Sequence, residues 1–144
     1  MRKSLILGAA LSLMIAVPAT AQQSDEVRHI GGTGENSTLA TAVIAGNTVY
    51  LSGVLGRGDT LEEQTHSVMQ RIRDNLAEVG GTMDDVVKCL VLMADLSERP
   101  QLNPIYRSYF PNAKPARSAV GVDLGGPLVE IECIAILPDN FTNQ

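Results

Sequence analysis

Two runs of small and β-branched residues lie on either side of Ala45-Gly46-Asn47 in the stretch LATAVIAGNTVYLSG. This pattern is typical of a β-hairpin, with arms at residues 39–44 and 48–53. A short edge strand is predicted at Val27–Ile30, and longer apolar runs predict strands at Val86–Met93, 117–122 and 129–137. Because Val86–Met93 is apolar almost throughout, we expect it to be a central strand covered on both faces.

Helical spacing of apolar residues is clearest in DTLEEQTHSVMQRIRDNLAEVGG. Thr60 and Glu63 have the spacing of a capping box at the start of this helix, and Gly80-Gly81 is a stop signal at its end. One apolar stripe runs along the helix and is formed by Leu61, Val68, Ile72, Leu76 and Val79.

A second helix is predicted over residues 97–110, with Ser97 as its N-cap. Pro100 fits only the first turn, and Pro104 predicts that regular helix begins there or kinks. Together with the strands, this gives the order β-β-α-β-α-β-β. We therefore predict an α+β fold, a mixed β-sheet with two helices packed on one face.

The last strand carries different residues on its two faces, because alternate side chains point in opposite directions. One face is wholly apolar and is expected to meet the helices: Val129, Ile131, Cys133, Ala135 and Leu137. The other face carries Glu130, Glu132, Ile134 and Ile136. Two carboxylates beside two isoleucines do not suit a solvent-facing strand, so we expect a neighbouring subunit to cover this second face.

The start of the chain has the pattern of a secretory signal: two basic residues, an uncharged run over residues 4–17, and small residues at the cleavage-site positions before Gln22. The uncharged run is shorter than the roughly 20 residues of a bilayer-spanning helix. We predict a soluble periplasmic or secreted protein with no membrane contact after cleavage; an uncleaved N-terminal anchor is the alternative. The predicted organisation is a signal peptide (1–21), a flexible N-terminal segment (22–38), one domain (39–138) and a C-terminal tail (139–144).

Charge and composition disfavour a nucleic-acid partner. The formal net charge is −5, and loss of Arg2 and Lys3 with the signal makes it −7. Such a charge repels phosphate backbones, and three Tyr, two Phe and no Trp offer little stacking surface. A ribonuclease function is disfavoured for the same reason.

Cys89 and Cys133 both lie in predicted strands. They would either form a disulfide after export or remain two small buried apolar residues. Neither has a histidine or a second cysteine at zinc-ligand spacing, so no metal site is predicted. His29 and His66 have no partner at catalytic spacing and are expected to be solvated or capping residues.

Arg117 begins a predicted strand directly after Lys114-Pro115-Ala116. One interpretation is a structural ion pair with Glu130 or Glu132, on what we take to be the adjacent strand. The other is a ligand site, because a planar guanidinium binds a carboxylate in a bidentate manner.

Five segments together resemble the Rid family, also known as YjgF and UK114: YLSG, NLAEVGGTMDDVVKCLVLMADL, NPIYRSYF, PARSAV and VEIECIAI. They follow the order and spacing of the family from about Leu39 to Leu137. The resemblance implies a chorismate-mutase-like α+β fold and a homotrimer with clefts between subunits. It also implies hydrolysis of 2-imino or 2-enamino acids, such as those derived from serine or threonine, to 2-keto acids and ammonia without a cofactor.

The resemblance also assigns roles to residues. The arginine of the PARS motif, here Arg117, clamps the substrate carboxylate, and the first glutamate of VEIE, here Glu130, positions or activates a water molecule. The remaining substrate-binding positions fall on Ser52, Gly53, Asn103 and Ala119. An iminium carbon is already electrophilic, so a clamped acid and an oriented water are sufficient for hydrolysis.

Three positions depart from the family pattern. Leu39 stands at the position of the usual tyrosine, Val54 replaces a glutamine, and Ala119 replaces a cysteine. The sequence therefore supports acid recognition better than any particular substrate. Two functions stay open: an exported imine deaminase with a small carboxylate-bearing substrate, or a non-catalytic protein that binds small carboxylate ligands.

Overall fold

A computed structural model describes residues 27–138. The elements are β1 (Val27–Ile30), β2 (Ala42–Ala45), β3 (Thr48–Leu51), β4 (Val54–Leu55), α1 (Leu61–Glu78), β5 (Val86–Met93), α2 (Arg99–Ser108), β6 (Ala116–Gly121) and β7 (Val129–Ile136). Short 3-10 turns at Met83–Asp85 and Leu96–Glu98 precede β5 and α2. The predicted signal peptide and C-terminal tail lie outside the described residues.

The seven strands form one mixed sheet in the order β1-β2-β3-β7-β5-β6, and β4 also pairs with β7. Among the strand pairs that the structure describes, β5 and β6 run parallel and the others are antiparallel. The predicted α+β fold, with two helices against a mixed sheet, is confirmed. β6 lies at an edge of the sheet, and β5 is its only neighbour among the strands of residues 27–138.

The first hairpin and α1 form as their local sequences predict. Ala45 pairs with Thr48 across a two-residue turn, in which Gly46 takes a φ of 60°. At the start of α1, Thr60 Oγ1 accepts a hydrogen bond from the Glu63 backbone N–H at 3.2 Å. The Glu63 carboxylate accepts in return from the backbone N–H groups of Asp59 and Thr60, and these bonds lower the pKa of Glu63.

The start of α2 differs from the prediction. Asp95 caps the 3-10 turn that leads into α2, because its Oδ1 accepts a hydrogen bond from the Ser97 backbone N–H at 2.8 Å. Glu98, not Ser97, stands at the N-cap position of α2, and it makes no side-chain capping hydrogen bond. The α-helix begins at Arg99 and continues through Pro104. Since proline has no N–H, the carbonyl four residues earlier lacks a helical partner, and that carbonyl belongs to the exposed Pro100 in the first turn.

The core lies between the helices and one face of the sheet. The predicted apolar face of β7 is confirmed, and Val129, Ile131 and Ala135 have no exposed surface. On the other face, Glu132 and Ile136 are exposed in the single chain. β5 is likewise buried only on its helix side, so the expectation that both of its faces are covered is not met within one chain.

Cys89 and Cys133 are directly opposite each other in β5 and β7 and form a disulfide. Both side chains lie in the core, at 0% and 1% exposure. The structure thus selects one of the two alternatives that the sequence left open. The bond joins two neighbouring strands across a sequence separation of 44 residues.

Candidate active site

Arg117 lies on the edge strand β6 and faces the helices. It pairs with Cys89 of β5, whose side chain is in the core, so both side chains lie on the helix side of the sheet. The Arg117 Nη2 group donates a hydrogen bond to Asn103 Oδ1 at 2.7 Å, and its Cζ atom lies 4.7 Å from the centroid of the Tyr106 ring. Two residues of α2, one turn apart, therefore hold the guanidinium.

Tyr106 supplies an aromatic face to this arginine. The residue is 5% exposed, and burial raises its pKa to about 12, although the positive charge of Arg117 acts in the opposite direction. Its hydroxyl is buried and has no hydrogen-bond partner among residues 27–138. The phenol is therefore neutral at working pH, and its contribution to the site is the ring.

Removing the Tyr106 ring is expected to weaken the hold on Arg117. Tyr106→Leu should raise KM for a carboxylate substrate about 10-fold, because a desolvated cation–π contact contributes up to about 2 kcal/mol. Tyr106→Phe keeps the ring and should stay within about two-fold of the parent protein. Steady-state kinetics distinguish a binding role of the ring from a structural one, because a purely structural role would lower kcat through loss of folded protein. Equal KM values for Tyr106→Leu and Tyr106→Phe would contradict the expectation.

The remaining N–H groups of the Arg117 guanidinium make no hydrogen bond within the described residues, and the side chain is only half-buried. The alternative of an ion pair with Glu130 or Glu132 is wrong for the single chain. β5 separates β6 from β7, and the two glutamates lie on the opposite face of the sheet. Within residues 27–138, the one ion pair joins Arg73 and Asp74.

Glu130 lies beside an irregularity in the neighbouring strand. Between the Tyr50–Ile134 and Val54–Ile131 pairs, residues 51–53 stand opposite only residues 132–133, so this side carries a β-bulge. The bulge brings Gly53 against the Glu130 carboxylate: a Cβ atom at position 53 would lie 2.0 Å from Glu130 Oε1. The sequence pattern predicts that the hairpin ends at Gly53, but β4 resumes the pairing with β7 after the bulge.

Gly53→Ala is expected to displace the Glu130 carboxylate, because no side chain fits at 2.0 Å from an oxygen atom. If Glu130 orients the attacking water, kcat should fall about 10-fold or more, within the range of general-base contributions. Gly34→Ala is a matched control, since the added Cβ there would lie 3.3 Å from the Ser37 hydroxyl oxygen, a side chain able to adjust. An unchanged kcat in folded Gly53→Ala protein would contradict this role of Glu130.

Ser52 and Ala119 occupy contrasting positions. The Ser52 hydroxyl donates to the Ala40 carbonyl at 2.6 Å and its backbone N–H donates to the Thr41 carbonyl at 3.1 Å, so Ser52 fixes the segment that carries Leu39. Ala119 pairs with Val91 on the helix face of the sheet, two residues after Arg117, and is half-buried. It adds no polar group beside the guanidinium.

A groove of about 700 Å³ lies between α1 and the segment around the bulge. Its sheet-side wall includes Leu39, Ser52, Gly53 and Val54, and Leu39 is 61% exposed. Arg117, Asn103 and Ala119 do not line this groove. One chain therefore carries two separate groups of predicted site residues, one around the groove and one around Arg117.

Residue types alone did not identify Tyr106 as part of the arginine site, because an aromatic residue on an apolar helix face is usually a core residue. Its spacing of three residues from Asn103 was the available signal. Tyr109 also has a polar contact, since its hydroxyl lies 2.9 Å from His66 Nδ1. The expectation that His66 is merely solvated or capping is therefore wrong.

The described residues contain no cluster of three or more His, Cys, Asp or Glu side chains that could hold a metal ion. Among the helices within residues 27–138, none combines the length and apolar character needed to cross a membrane.

Known proteins resemble both the sequence and the fold. A family model described as Endoribonuclease L-PSP matches residues 36–137. Reactive Intermediate Deaminase A, chloroplastic, from Arabidopsis thaliana is 39% identical over 134 residues, which cover 85% of this chain and 71% of the relative. The 2-iminobutanoate/2-iminopropanoate deaminase of Bos taurus is 33% identical over 105 residues, covering 66% and 77%.

Among solved structures, RidA from the Antarctic bacterium Psychrobacter sp. PAMC 21119 matches with a TM-score of 0.67 at 34% identity, covering 76% of this chain and 94% of that one. The fold is thus the chorismate-mutase-like fold of YjgF proteins. This chain belongs to the Rid (YjgF/YER057c/UK114) family and is RidA-like. The resemblance predicted from the five sequence segments is confirmed.

Proposed function

We propose that this protein is an exported, cofactor-independent deaminase that hydrolyses 2-imino or 2-enamino acids to 2-keto acids and ammonia. The observation that carries the proposal is the half-buried Arg117, held by Asn103 and Tyr106 with its other donors unbonded in the described chain. Such a fixed guanidinium suits a substrate carboxylate. Relatives that are named as deaminases of this kind share 33–39% of their residues with this chain over the matched regions.

Hydrolysis of a protonated imine requires few catalytic groups from the protein. A water oxygen bonds to C2 of the protonated imine while the C=N π electrons move to nitrogen. A proton then passes from oxygen to nitrogen, the C–N bond breaks, and ammonia leaves as the C=O bond forms. In this proposal Arg117 fixes the acid, so that C2 is correctly placed, and Glu130 orients the water and accepts its proton.

We propose further that the site is completed between subunits of a homotrimer. In one chain Arg117 and Glu130 lie on opposite faces of the sheet, so they cannot act together on one small molecule. The open face carries exposed apolar side chains, among them Tyr50, Val120 and Ile136, which a second copy would bury. Size-exclusion chromatography with light scattering tests the assembly, and a purely monomeric active protein would contradict it.

Export is proposed from the signal-like first 21 residues and is supported by the Cys89–Cys133 disulfide, because such bonds persist in oxidising compartments. Fractionation of cells that express the full chain should yield a processed protein beginning near Gln22 outside the cytoplasm. An unprocessed cytoplasmic protein would contradict export.

The decisive experiment generates 2-imino acids in situ with an amino-acid oxidase and follows their disappearance by semicarbazide trapping. Addition of this protein should speed release of keto acid and ammonia over the spontaneous rate, and Arg117→Ala should remove the effect. Loss of trapped imine at the spontaneous rate only would contradict the proposed function.

The second candidate is a binding protein without turnover. It is favoured by the exposed apolar Leu39 and by Val54 in the groove, where the family pattern has polar residues. Carboxylate ligands would then raise the melting temperature, with no imine consumed.

A further inference from the structure

The groove has a second wall, which faces Ser52 and Gly53. It is formed by side chains of α1 and by the loop after β4, which contribute Arg57, Ser67, Gln70, Arg71, Asp74 and Asn75. Arg57 is held near α1 because its backbone N–H donates to the Ser67 hydroxyl at 2.8 Å. The two walls therefore bound one cleft whose volume lies in the range of small-molecule sites.

Asn75 is the unusual residue of this wall. It is only 5% exposed but lines the groove, so the accessible part of its side chain faces the cleft. Its helix neighbours Ile72 and Leu76 have no exposed surface, so packing restricts where the amide can point. The amide N–H of Asn75 is therefore a donor that a ligand in the groove can use.

The charges of the wall favour an anion. Arg71 lies one helical turn before Asn75, on the same side of α1, and Arg57 of the loop after β4 lines the same groove. Neither guanidinium makes an ion pair or a side-chain hydrogen bond in the described chain. The one acid in the lining, Asp74, forms an ion pair with Arg73 at 3.7 Å, so the lining carries two arginines and one aspartate. This local excess of positive charge occurs in a protein whose net charge is −5.

We propose that Asn75, Arg71 and Arg57 bind a second acidic group, so that the preferred substrates are 2-imino dicarboxylic acids. The inference rests on the proposed function: Arg117 clamps the carboxylate next to the imine, and the α1 wall receives the distal one. An amide N–H and two guanidinium groups are all donors, which suits a carboxylate acceptor. A neutral side chain could not form charge-assisted hydrogen bonds with these two guanidinium groups.

The test compares two imines of equal chain length, made in situ from glutamate and from norvaline, which lacks the second carboxylate. For the protein purified after expression of the full chain, kcat/KM should be about 10-fold or more higher with the glutamate-derived imine. Arg71→Gln and Asn75→Asp should lower this preference about 10-fold, the first by removing a donor and the second by adding a repelling charge. Arg107→Gln, an equal charge change on exposed α2 surface outside the groove, should leave the preference intact.

A binding measurement tests the second carboxylate site without requiring that the protein turn over a substrate. 2-Oxoglutarate should raise the melting temperature more than 2-oxopentanoate does, and Arg71→Gln should reduce that difference. If no imine is consumed, the proposed function fails, while this comparison still decides the inference. If both imines are hydrolysed with no preference, or if Arg71→Gln affects both equally, the inference is wrong and the deaminase function stands.

Discussion

Arg117→Ala is expected to lower kcat/KM for 2-imino acids by at least about 100-fold, because it removes the charge-assisted hydrogen bonds to the substrate carboxylate. In the structure the guanidinium is half-buried and uses one donor on Asn103, so most of its donors are available to a ligand. The loss should fall mainly on KM if the clamp acts equally in the ground state and the transition state. It should fall on kcat if the clamp aligns C2 with the attacking water.

Two controls sharpen this result. Arg117→Lys keeps the charge but not the planar fork, so its activity should lie between those of the parent and the alanine variant. Arg99→Ala removes an exposed cation at the start of α2 and should leave kcat/KM unchanged. Thermal denaturation must show that Arg117→Ala remains folded; a folded variant with undiminished activity would refute the assignment of the carboxylate clamp.

Reduction of the Cys89–Cys133 bond is expected to lower the free energy of unfolding by about 4 kcal/mol, the loop-entropy contribution for a closed loop of this length. Chemical unfolding at equilibrium, with and without dithiothreitol, measures the difference without creating a cavity in the core. All samples need the same protein concentration, because association of subunits also adds to stability.

The double variant Cys89→Ala/Cys133→Ala serves as the control for this measurement. Its unfolding midpoint should not respond to dithiothreitol, since it has no bond to reduce. If the parent protein unfolds at the same denaturant concentration in both conditions, the two cysteines are not joined in solution.

Local sequence was enough to predict the elements whose causes are local. The capping box of Thr60 and Glu63 defines the start of α1 through contacts within four residues, and the bounds of β1 and β5 coincide with the predicted ones. The predictions were wrong where several residues could cap the same segment, and where the pairing of strands distant in sequence determines the structure. α2 begins at Arg99, after a 3-10 turn that Asp95 caps, and β4 exists only because β7 pairs with it beyond the bulge.

The candidate site was predictable in its residue types but not in its arrangement. The family motifs identify Arg117 and Glu130 as site residues. The alternation of side chains along β7 correctly identifies the face that carries Glu130. Strand order, however, depends on long-range pairing, and β5 lies between the two strands that the sequence analysis took as adjacent. The contact of Tyr106 with Arg117 and the position of Asn75 in the groove likewise require the packing of α2 and α1.

By itself, the sequence determined which segments become helix or strand, which face of each is apolar, and which family the chain resembles, because short-range periodicity and motifs encode these properties. Only the tertiary structure decided that the two cysteines are bonded, that Arg117 faces α2 rather than the glutamates, and that Arg57 and Arg71 line one groove. These outcomes depend on which strands become neighbours, and that choice is made by the packing of the whole chain.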